Sequence, residues 1–532
     1  MIKKTIDLSI NHNWLDLEDN GKLSKKLYIF LVVVLVVLSI GFWMFYSNSE
    51  LILAYNDARS RLNIARRIVD SLQPGFAQIG SVWLPLFHIL ELPLVWNYYL
   101  WQSGFAGSII SMASYVAGGI FFIKLLNRMN FTLTALLFAF TVYALNPNML
   151  FMQSIPMTES LLMFLAIASI YYLYIWSEEL NHKYLILSSI FIFLSSLTRY
   201  DGWFLLLAST LFVIIISFKK RNASFVIGNV LLFLTLASFG VILWIIWNKL
   251  IFNDPLYFVL GPFSAKSQQD ILNVEGRLFS KGNLVYSTFL YLVTVLYNSG
   301  IWIGIIAIWG GFMFYFNKHI NLNKKIVLSL LLVPFIFNIF SLYAGHSVIH
   351  IPHIPPYTWF NDRYGLMVLP AIAIMFAYIV SKSRLGIILA SMVVIFNYSY
   401  MYIGNNIITI EDGTRGSSGN FLNSAGIWLK SNAKDGLILT ATSSNDALVF
   451  TSGLPLKRFI VEGSRLYWQD SLADPTKHAK WIVMKKGDLV ETALHNNRIF
   501  LDNYSLVYKD AFSYIYVLDV NRNTPLTKEE LP

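Results

Sequence analysis

Five charged residues at the ends of long apolar segments are the candidates for chemistry in this sequence. They are Asp57, Glu159, Arg199, Asp201 and Arg363. A charged side chain beside a membrane-spanning segment is energetically costly, so its presence indicates a function. A carboxylate partly withdrawn from water can act as a general base, and an arginine offers a permanent cation to a phosphate. These residue types therefore fit acid–base chemistry beside an anionic lipid headgroup.

Asp57 lies in the sequence YNDARSR, shortly after the first apolar segment. Its carboxylate can serve as a general base, or it can be a solvated loop residue or the cap of a following helix. Arg59, Arg61 and Arg66 follow at short spacing. They can hold a phosphate or contact lipid headgroups, and position alone leaves both interpretations open.

Glu159 lies in IPMTESLL, where the fourth apolar segment begins, with Thr158 or Ser160 available as a helix cap. Its charge suits the positive end of the helix dipole, which explains the residue without a function. It can equally be a second acid or a metal ligand. Arg199 and Asp201 lie in LTRYDGWF, in a tight turn between two apolar segments. They form a local ion pair, or Arg199 faces a central cavity.

Arg363 lies in WFNDRYGLMVLP, where an outer loop is predicted to re-enter the membrane. Because arginine stays charged and can donate two parallel hydrogen bonds, it suits an anionic lipid headgroup. The alternative is an interfacial anchor beside Trp359 and Tyr364. Tyr364 and Asp201 are predicted as further residues of the cavity.

Three histidines precede Arg363 in the same loop: His346, His350 and His353. Spacings of four and three would gather metal ligands on one face of a helix. Three prolines between positions 352 and 356 argue against a helix there. We therefore predict no cofactor and no protein metal site, and leave a requirement for a divalent cation open.

The composition indicates a polytopic membrane protein. Of 532 residues, 56% are hydrophobic and only 13% are charged, whereas soluble domains carry about 25% charged residues. Much of the net charge of +10 lies in short loops, so it does not indicate nucleic-acid binding. The absence of cysteine excludes disulfides and thiolate catalysis. The sequence lacks a P-loop, HExxH and GxSxG, which argues against nucleotide hydrolysis and serine hydrolase chemistry.

The elements that must position the charged residues are about eleven membrane spans, each needing about 20 apolar residues. The predicted spans are 27–47, 104–124, 132–149, 158–177, 184–198, 203–219, 224–250, 300–317, 326–345, 365–381 and 385–403. The positive-inside rule places the N-terminus in the cytoplasm and the C-terminal tail outside. The basic residues behind that orientation are Lys22, Lys25, Lys26, Lys124, Arg128, Lys219, Lys220, Arg221, Lys318, Lys324, Lys325, Lys382 and Arg384.

Two apolar stretches do not fit as simple spans. Residues 82–101 contain Pro85, His88, Glu91 and Pro93, and counting them as a span would invert the basic loops. We predict a helix that lies in the membrane interface or dips into it, with His88 as a cavity residue. Residues 285–297 are short and flanked by glycine, and are interpreted in the same way.

Strand-length apolar runs appear after about residue 404, at 437–440, 447–451, 459–461, 481–484, 506–508 and 514–520. They alternate with helical stretches such as 423–430 and 488–494, which predicts a small extracytoplasmic α/β domain. The long first outer loop, 48–103, has helical spacing of apolar residues at 63–72. The predicted domains are a cytoplasmic tail (1–26), a transmembrane domain (27–403) and the outer domain (404–532).

The order of these segments resembles the GT-C superfamily of membrane glycosyltransferases. Within it, the chain resembles the dolichyl-phosphate-mannose-type protein mannosyltransferases and the aminoarabinose transferase of lipid A. The matching segments are AYNDARSRLNIARRI, VWLPLFHILELP, PMTESLL, LTRYDGWF, NDRYGLMVLP and the tail segments GIWLKSNAKDGLIL, GSRLYWQDSLADPTKHAKWIVMKKGD and YSLVYKDAFSYIYVL. They span nearly the whole chain. Where some relatives have an HPP-like sequence, this chain has Trp83-Leu84-Pro85, so that group's acceptor preference does not carry over.

The resemblance implies inverting sugar transfer from a polyprenyl-phosphate donor on the extracytoplasmic side of the plasma membrane. By analogy Asp57 takes the acceptor proton, Arg363 and Arg199 stabilise the leaving phosphate, and Glu159 shapes the site. Fixed cations in a dry site stabilise the charge that builds on a departing phosphate. The expected acceptor is a hydroxyl of a protein, a lipid or a polysaccharide.

Two rival functions remain open on the sequence. A transporter or flippase of a lipid-linked glycan would translocate its substrate without cleaving a bond, although the long first loop, the tail and the lack of an inverted repeat argue against it. A non-catalytic scaffold that binds the cell wall would tolerate alanine at all five charged positions.

Overall fold

The computed structural model describes residues 23–220, 222–274, 276, 278–380, 384–419, 423–519 and 525–532. Residues 1–22 of the predicted cytoplasmic tail lie outside the described residues, as do Arg221 and Lys382 of the predicted basic loops.

Helices account for most of the described residues. In chain order they are α1 (Lys25–Asn48), α2 (Asn56–Arg67), α3 (Leu86–Val95), α4 (Tyr98–Gln102), α5 (Phe105–Arg128), α6 (Leu133–Ala144), α7 (Pro147–Met152), α8 (Glu159–Glu179), α9 (His182–Ser196), α10 (Asp201–Lys220), α11 (Ala223–Ala237), α12 (Phe239–Phe252), α13 (Tyr257–Leu260), α14 (Ala265–Val274), α15 (Leu284–Ser299), α16 (Ile301–Phe316), α17 (Leu322–Leu331), α18 (Val333–Tyr343), α19 (Leu369–Val380), α20 (Arg384–Ile403), α21 (Ile408–Thr414), α22 (Asn423–Asn432), α23 (Thr442–Ser452), α24 (Arg465–Ala473), α25 (Leu489–Leu494) and α26 (Arg498–Asn503).

Five strands lie in the C-terminal part: β1 (Leu437–Leu439), β2 (Phe459–Ile460), β3 (Ala479–Met484), β4 (Tyr504–Lys509) and β5 (Tyr514–Leu518). A short 3₁₀ helix, Asp362–Val368, precedes α19.

Six of the described helices are long and apolar enough to cross a membrane, and three bent helix pairs raise that number to as many as nine. They indicate a multi-pass membrane protein. The predicted spans 132–149 and 184–198 coincide with two shorter apolar helices, α6 and α9. The predicted total of about eleven spans therefore stays a prediction.

The pair α15 and α16 bends by 113° at Gly300, which has φ +90°. A bend of this size belongs to a broken span or a re-entrant loop. It falls directly after the stretch 285–297, which was predicted to lie in or dip into the interface. The placement of this stretch in the membrane interface stays a prediction.

Asparagine side chains begin several of the membrane helices. The Oδ1 atoms of five residues accept a hydrogen bond from a backbone N–H in the first turn of α7, α9, α11, α15 and α17, and these residues are Asn146, Asn181, Asn222, Asn283 and Asn321. Each cap satisfies a donor that has no partner inside its helix. Uncharged caps of this kind define helix starts in a chain with few charged residues.

One compact unit, unit 1, comprises the described residues of the ranges Met1–Leu51 and Ser108–Ser417. Within it, 78% of the most apolar stretch of α8 is buried, but only 17% of that of α1. A helix that is apolar on all sides either lies in a protein core or faces lipid. By this measure α8 is a core helix and α1 is a lipid-facing helix. The N-terminus of α8, with Glu159, therefore lies deep inside unit 1.

The second unit, unit 2, comprises Ile52–Gly107 and Ser418–Pro532. Its sheet has the strand order β2-β1-β3-β5-β4, with β2, β1 and β3 parallel and β3, β5 and β4 antiparallel. Apolar side chains of α2, α22 and α23 pack on one face, and those of α24, α25 and α26 pack on the other. A small α/β assembly is therefore present, while its membrane side and the predicted domain boundaries stay predictions.

Two local predictions in unit 2 were wrong. Residues 447–451 are not a strand but part of α23, whose first-turn N–H groups, those of Thr442 and Ser443, donate to the Glu462 carboxylate. A short apolar run does not distinguish a buried strand from a buried helix. The predicted helix at 63–72 instead begins at Asn56 and ends at Arg67, which brings Asp57 into its first turn.

Candidate active site

Three charged residues of unit 1 meet at a single carboxylate oxygen. Glu159 Oε1 accepts hydrogen bonds from Arg199 Nη1 at 3.1 Å and from Arg363 Nε at 3.2 Å. The Glu159 side chain is fully buried, and Arg363 is 3% exposed. Arg199 Nε also donates to Asp201 Oδ2 at 3.2 Å. The structure therefore brings together the predicted residues Glu159, Arg199, Asp201 and Arg363.

The start of α8 positions Glu159. It is the first residue of α8, where a carboxylate suits the positive end of the helix dipole. The predicted side-chain cap is absent, because Thr158 makes no capping hydrogen bond and its Oγ1 instead accepts from Arg199 Nη1 at 3.5 Å. Glu159 is thus both a helix-terminal carboxylate and the centre of an ion-pair network.

A tight turn between α9 and α10 positions Arg199 and Asp201. Trp203 Nε1 donates to the carbonyl oxygen of Ser196 at 2.9 Å and closes the turn. A Cβ atom at Gly202 would overlap the carbonyl group of Ser195, so this close approach requires glycine. The predicted local ion pair of Arg199 with Asp201 is present, and Arg199 also pairs with Glu159 of another helix. That Arg199 faces a central cavity stays a prediction.

Arg363 lies in the first turn of the 3₁₀ helix that precedes α19. Its Nη1 atom is 3.9 Å from Oδ2 of Asp412, a fully buried residue of α21. The adjacent Asp362 is also fully buried and accepts from the Phe360 N–H at 3.0 Å. The sequence reasoning missed both aspartates, because Asp412 lies in a stretch assigned to the outer domain. For Asp362, its position next to Arg363 in the sequence was a signal that could have been used.

The aromatic ring of Tyr364 contacts both arginines. Its centroid is 4.9 Å from Arg199 Cζ and 5.2 Å from Arg363 Cζ, within the range of cation–π contacts. Tyr364, predicted as a cavity residue, therefore belongs to the same cluster. Its ring and the Glu159 carboxylate together hold two cations close to each other.

The charge of Arg199 is secured by its partners. Burial lowers the pKa of its guanidinium, but the carboxylates of Asp201 and Glu159 raise it by more, so the pKa ends above its ordinary value. Guanidinium groups of this kind can donate paired hydrogen bonds to an oxyanion. Asp201 also lines an apolar cavity of about 20 Å³ between α8, α10 and α17.

The other predicted site residues belong to unit 2. Asp57 is the second residue of α2. The first residue, Asn56, donates hydrogen bonds through its backbone N–H to the Ser418 carbonyl oxygen and through its side-chain amide to the Gly419 carbonyl oxygen, and these bonds fix the start of the helix. Arg59 Nη1 donates to Thr451 Oγ1 at 3.1 Å, and burial lowers the pKa of Arg59 to about 10.

Arg66 and Arg61 make contacts that support the fold of unit 2. Arg66 pairs with Asp70 at 3.1 Å and donates to the carbonyl oxygens of Val95 and Trp96, where α3 ends. The Arg61 guanidinium stacks over the Trp83 ring at 4.4 Å. A phosphate-binding role for Arg59, Arg61 or Arg66 stays a prediction.

His88 and Glu91 form a buried pair on α3, with Nδ1 and Oε2 3.7 Å apart. Burial lowers the pKa of His88, and the positive charge of Arg61 lowers it further. Burial raises the pKa of Glu91. Both side chains are therefore favoured in their uncharged forms. The predicted cavity residue His88 thus lies inside unit 2, stacked on Trp83 with ring centroids 6.3 Å apart.

Among the described residues, no group of three or more His, Asp or Glu side chains is arranged to hold a metal ion. The histidine loop between α18 and the 3₁₀ helix contains no helix, as its prolines predicted. His350 pairs through its backbone with Phe360 in an isolated β-bridge.

Two crystal structures of ArnT from Cupriavidus metallidurans resemble this structure over nearly the whole chain. The form bound to undecaprenyl phosphate aligns with a TM-score of 0.57 at 12% identity and covers 93% of this chain and 99% of the ArnT chain. The apo form gives 0.56 at 12% identity, with 94% and 99% covered. Neither a family model nor a curated protein sequence matches the chain. The resemblance to the GT-C membrane glycosyltransferases is confirmed as a likeness of fold.

Proposed function

We propose that this protein is an inverting glycosyltransferase that moves a hexose or pentose from a polyprenyl-phosphate donor to an acceptor hydroxyl on the extracytoplasmic face. The observation that carries the proposal is that two arginines, the buried Arg363 and the partly exposed Arg199, both donate to one oxygen of Glu159. The fold shared with ArnT, a protein crystallised with undecaprenyl phosphate, supports a lipid-phosphate donor.

The proposed reaction is a single displacement. The acceptor oxygen attacks the anomeric carbon, the bond from that carbon to the phosphate oxygen breaks, and its electron pair leaves with the lipid phosphate. Asp57 takes the proton of the acceptor hydroxyl. No enzyme nucleophile is needed, because one displacement inverts the anomeric centre in one step.

Arg363 and Arg199 are proposed to stabilise the phosphate as it departs. Negative charge grows on the phosphate oxygens as the anomeric bond breaks, and cations already held in place stabilise that charge without reorganising. Glu159 keeps both guanidinium groups oriented before the donor arrives. Tyr364 limits their movement through its ring.

The first test is donor turnover by the full chain in lipid nanodiscs. Polyprenyl-phosphate sugars carrying a labelled hexose or pentose are supplied with cell-envelope acceptors, and release of lipid phosphate is measured. We expect turnover by the wild type and a loss of at least about 100-fold in Asp57→Asn, because general-base catalysis contributes roughly 10²–10⁴-fold.

Asp502→Asn is the matched control, because Asp502 is an exposed helical aspartate of the same unit. It should retain wild-type turnover. Full turnover in Asp57→Asn would refute the assignment of the base. Tight donor binding without any cleavage by the wild type would instead favour a transporter or flippase of a lipid-linked glycan.

A further inference from the structure

The short segment that carries Arg363 is held from both sides by side chains of one helix, α15. The Asp362 carbonyl oxygen accepts from Asn298 Nδ2 at 2.6 Å. The Tyr364 carbonyl oxygen accepts from the Tyr291 hydroxyl at 2.9 Å, and Asn338 Nδ2 donates to that hydroxyl at 3.2 Å. The residues on either side of Arg363 are therefore fixed through their backbones. A 3₁₀ helix has poorer internal hydrogen bonds than an α-helix, so these external donors matter more.

Close backbone contact keeps the segment on α15. A Cβ atom at Gly365 would lie 2.6 Å from the Thr294 carbonyl oxygen and 2.7 Å from Asn298 Nδ2. No residue with a side chain fits there without a shift of one element. Asn298 thus lies at a close approach of the two elements.

Asn298 is also the second-last residue of α15, two positions before the bend at Gly300. Its carbonyl oxygen accepts from Asn146 Nδ2 at 2.8 Å and from Asn148 Nδ2 at 3.2 Å. Such carbonyls at a helix C-terminus have no partner inside the helix. These two donors come from the start of α7, which joins that segment to Asn298.

Asn148 also links Asn298 to α21, the helix that carries the carboxylate of Asp412 near Arg363. Asn148 Oδ1 accepts from the Thr409 N–H at 3.1 Å and from its hydroxyl at 2.8 Å. Thr409 lies in α21, which also carries Asp412, 3.9 Å from Arg363. Asn298 is therefore linked to Arg363 by two routes, one through the Asp362 backbone and one through Asn148 and α21.

We propose that Asn298 is a positioning residue for Arg363, setting where its guanidinium meets the leaving phosphate. This inference rests on the proposed function and assigns a role to a residue that would not touch the substrate itself. A cation stabilises developing charge only if it is aimed at the place where the charge appears. Loss of the Asn298 amide would let the Asp362–Gly365 segment move while leaving Arg363 present.

The chain offers a matched control in Asn248 of α12. Both asparagines are buried, and each donates through Nδ2 to the carbonyl four residues earlier, at 2.9 Å. In both, Oδ1 has no hydrogen-bond partner among the described residues. They differ in that Asn298 also donates to Asp362. Leucine shares the branching of asparagine at Cγ, donates no hydrogen bond and is larger, so Asn298→Leu and Asn248→Leu both remove the donor and add the same extra volume at a buried site.

The test is donor turnover by the purified full chain, with kcat and KM for the polyprenyl-phosphate sugar measured separately. We expect Asn298→Leu to lower kcat about 10- to 100-fold, because a small misplacement of a catalytic group has an effect of that order. KM for the donor should change far less. Asn248→Leu should keep both values near those of the wild type.

A double mutant separates positioning from general damage. If Asn298 acts through Arg363, adding Asn298→Leu to Arg363→Lys should lower kcat little further, since residues acting through one another are not additive. A full additional loss in the double mutant, or an equal loss in Asn248→Leu, would overturn the proposal.

Hydrogen exchange tests the positioning without any turnover. Asn298→Leu should speed amide exchange in residues 362–365 relative to both the wild type and Asn248→Leu. Unchanged exchange there would refute the positioning role. A wild type that releases no lipid phosphate from any donor would defeat the proposed function, and the exchange result would still decide the role of Asn298.

Discussion

Glu159 is the anion that two cations of the buried network share, because its Oε1 atom accepts hydrogen bonds from both Arg199 and Arg363. Removing one partner of a buried ion pair leaves an uncompensated charge, which costs more than the intact pair contributes. Its replacement would take from both guanidinium groups the carboxylate that they share, leaving Asp201 beside Arg199 and Asp412 beside Arg363. Glu159 is therefore expected to matter for folding as well as for chemistry.

Glu159→Gln should lower the free energy of unfolding by about 3–5 kcal/mol, since it leaves buried cations without their central anion. Glu178→Gln at the opposite end of α8 is the comparison. Glu178 pairs with Arg128 at a largely exposed site, and such surface pairs contribute about 0–1 kcal/mol. The measurement is thermal unfolding of both variants in one detergent. Equal shifts in melting temperature would contradict a special role for Glu159.

Helix α16 shows how small residues let membrane helices approach one another. Gly304, Ala307, Gly310 and Gly311 recur every three to four residues and are all buried. A Cβ atom at Gly310 would overlap the Met375 carbonyl oxygen of α19. In lipid, where apolar burial does not drive association, close backbone packing of this kind holds helices together. This contact with α16 fixes the position of α19, the helix that directly follows the segment carrying Arg363.

Gly310→Ala should destabilise the protein by about 1–3 kcal/mol, because the added methyl forces α16 away from α19. Gly228→Ala in α11 is the control. A Cβ atom at Gly228 would meet nothing within 4 Å, so this change should be neutral or slightly stabilising. Thermal unfolding compares the two. A Gly310→Ala variant as stable as Gly228→Ala would show that this contact relaxes without strain.

The whole molecule divides into two compact units, and unit 2 is assembled from two distant stretches of chain. Asn63 Nδ2 donates to Asp446 Oδ1 at 2.7 Å, and Arg67 pairs with the same oxygen at 3.1 Å. These contacts join residues separated by about 380 positions. The contacts of unit 2 can therefore form only after the ribosome has synthesised the intervening chain.

The predicted topology can be tested at this scale because the chain has no cysteine. We expect Asp502→Cys to react with a membrane-impermeant thiol reagent in intact cells, since the C-terminal segment is predicted to lie outside. His319→Cys, in an exposed loop among predicted cytoplasmic lysines, should react only after permeabilisation. The wild-type chain is the unlabelled blank. The reverse pattern would invert the predicted orientation.

Local patterns in the sequence were sufficient for much of the fold. Apolar length and helical periodicity are properties of neighbouring residues, so they located the segments that the structure shows as apolar helices. The same reasoning located parts of all five strands and α22 and α25. It failed at 447–451, where the carboxylate of Glu462, distant in sequence, caps a helix. The cost of charge beside a membrane singled out Glu159, Arg199, Asp201 and Arg363.

The contacts among these four residues depend on the tertiary structure. Glu159 and Arg363 are 204 positions apart, and no local pattern states that one carboxylate oxygen of Glu159 receives two arginines. The same holds for Asp412, which reaches Arg363 from a segment that looked like the start of the outer domain. Contacts between distant residues arise from how helices pack, and packing depends on side-chain shape along whole helices. The types of candidate residues were therefore readable in advance, while their geometry was not.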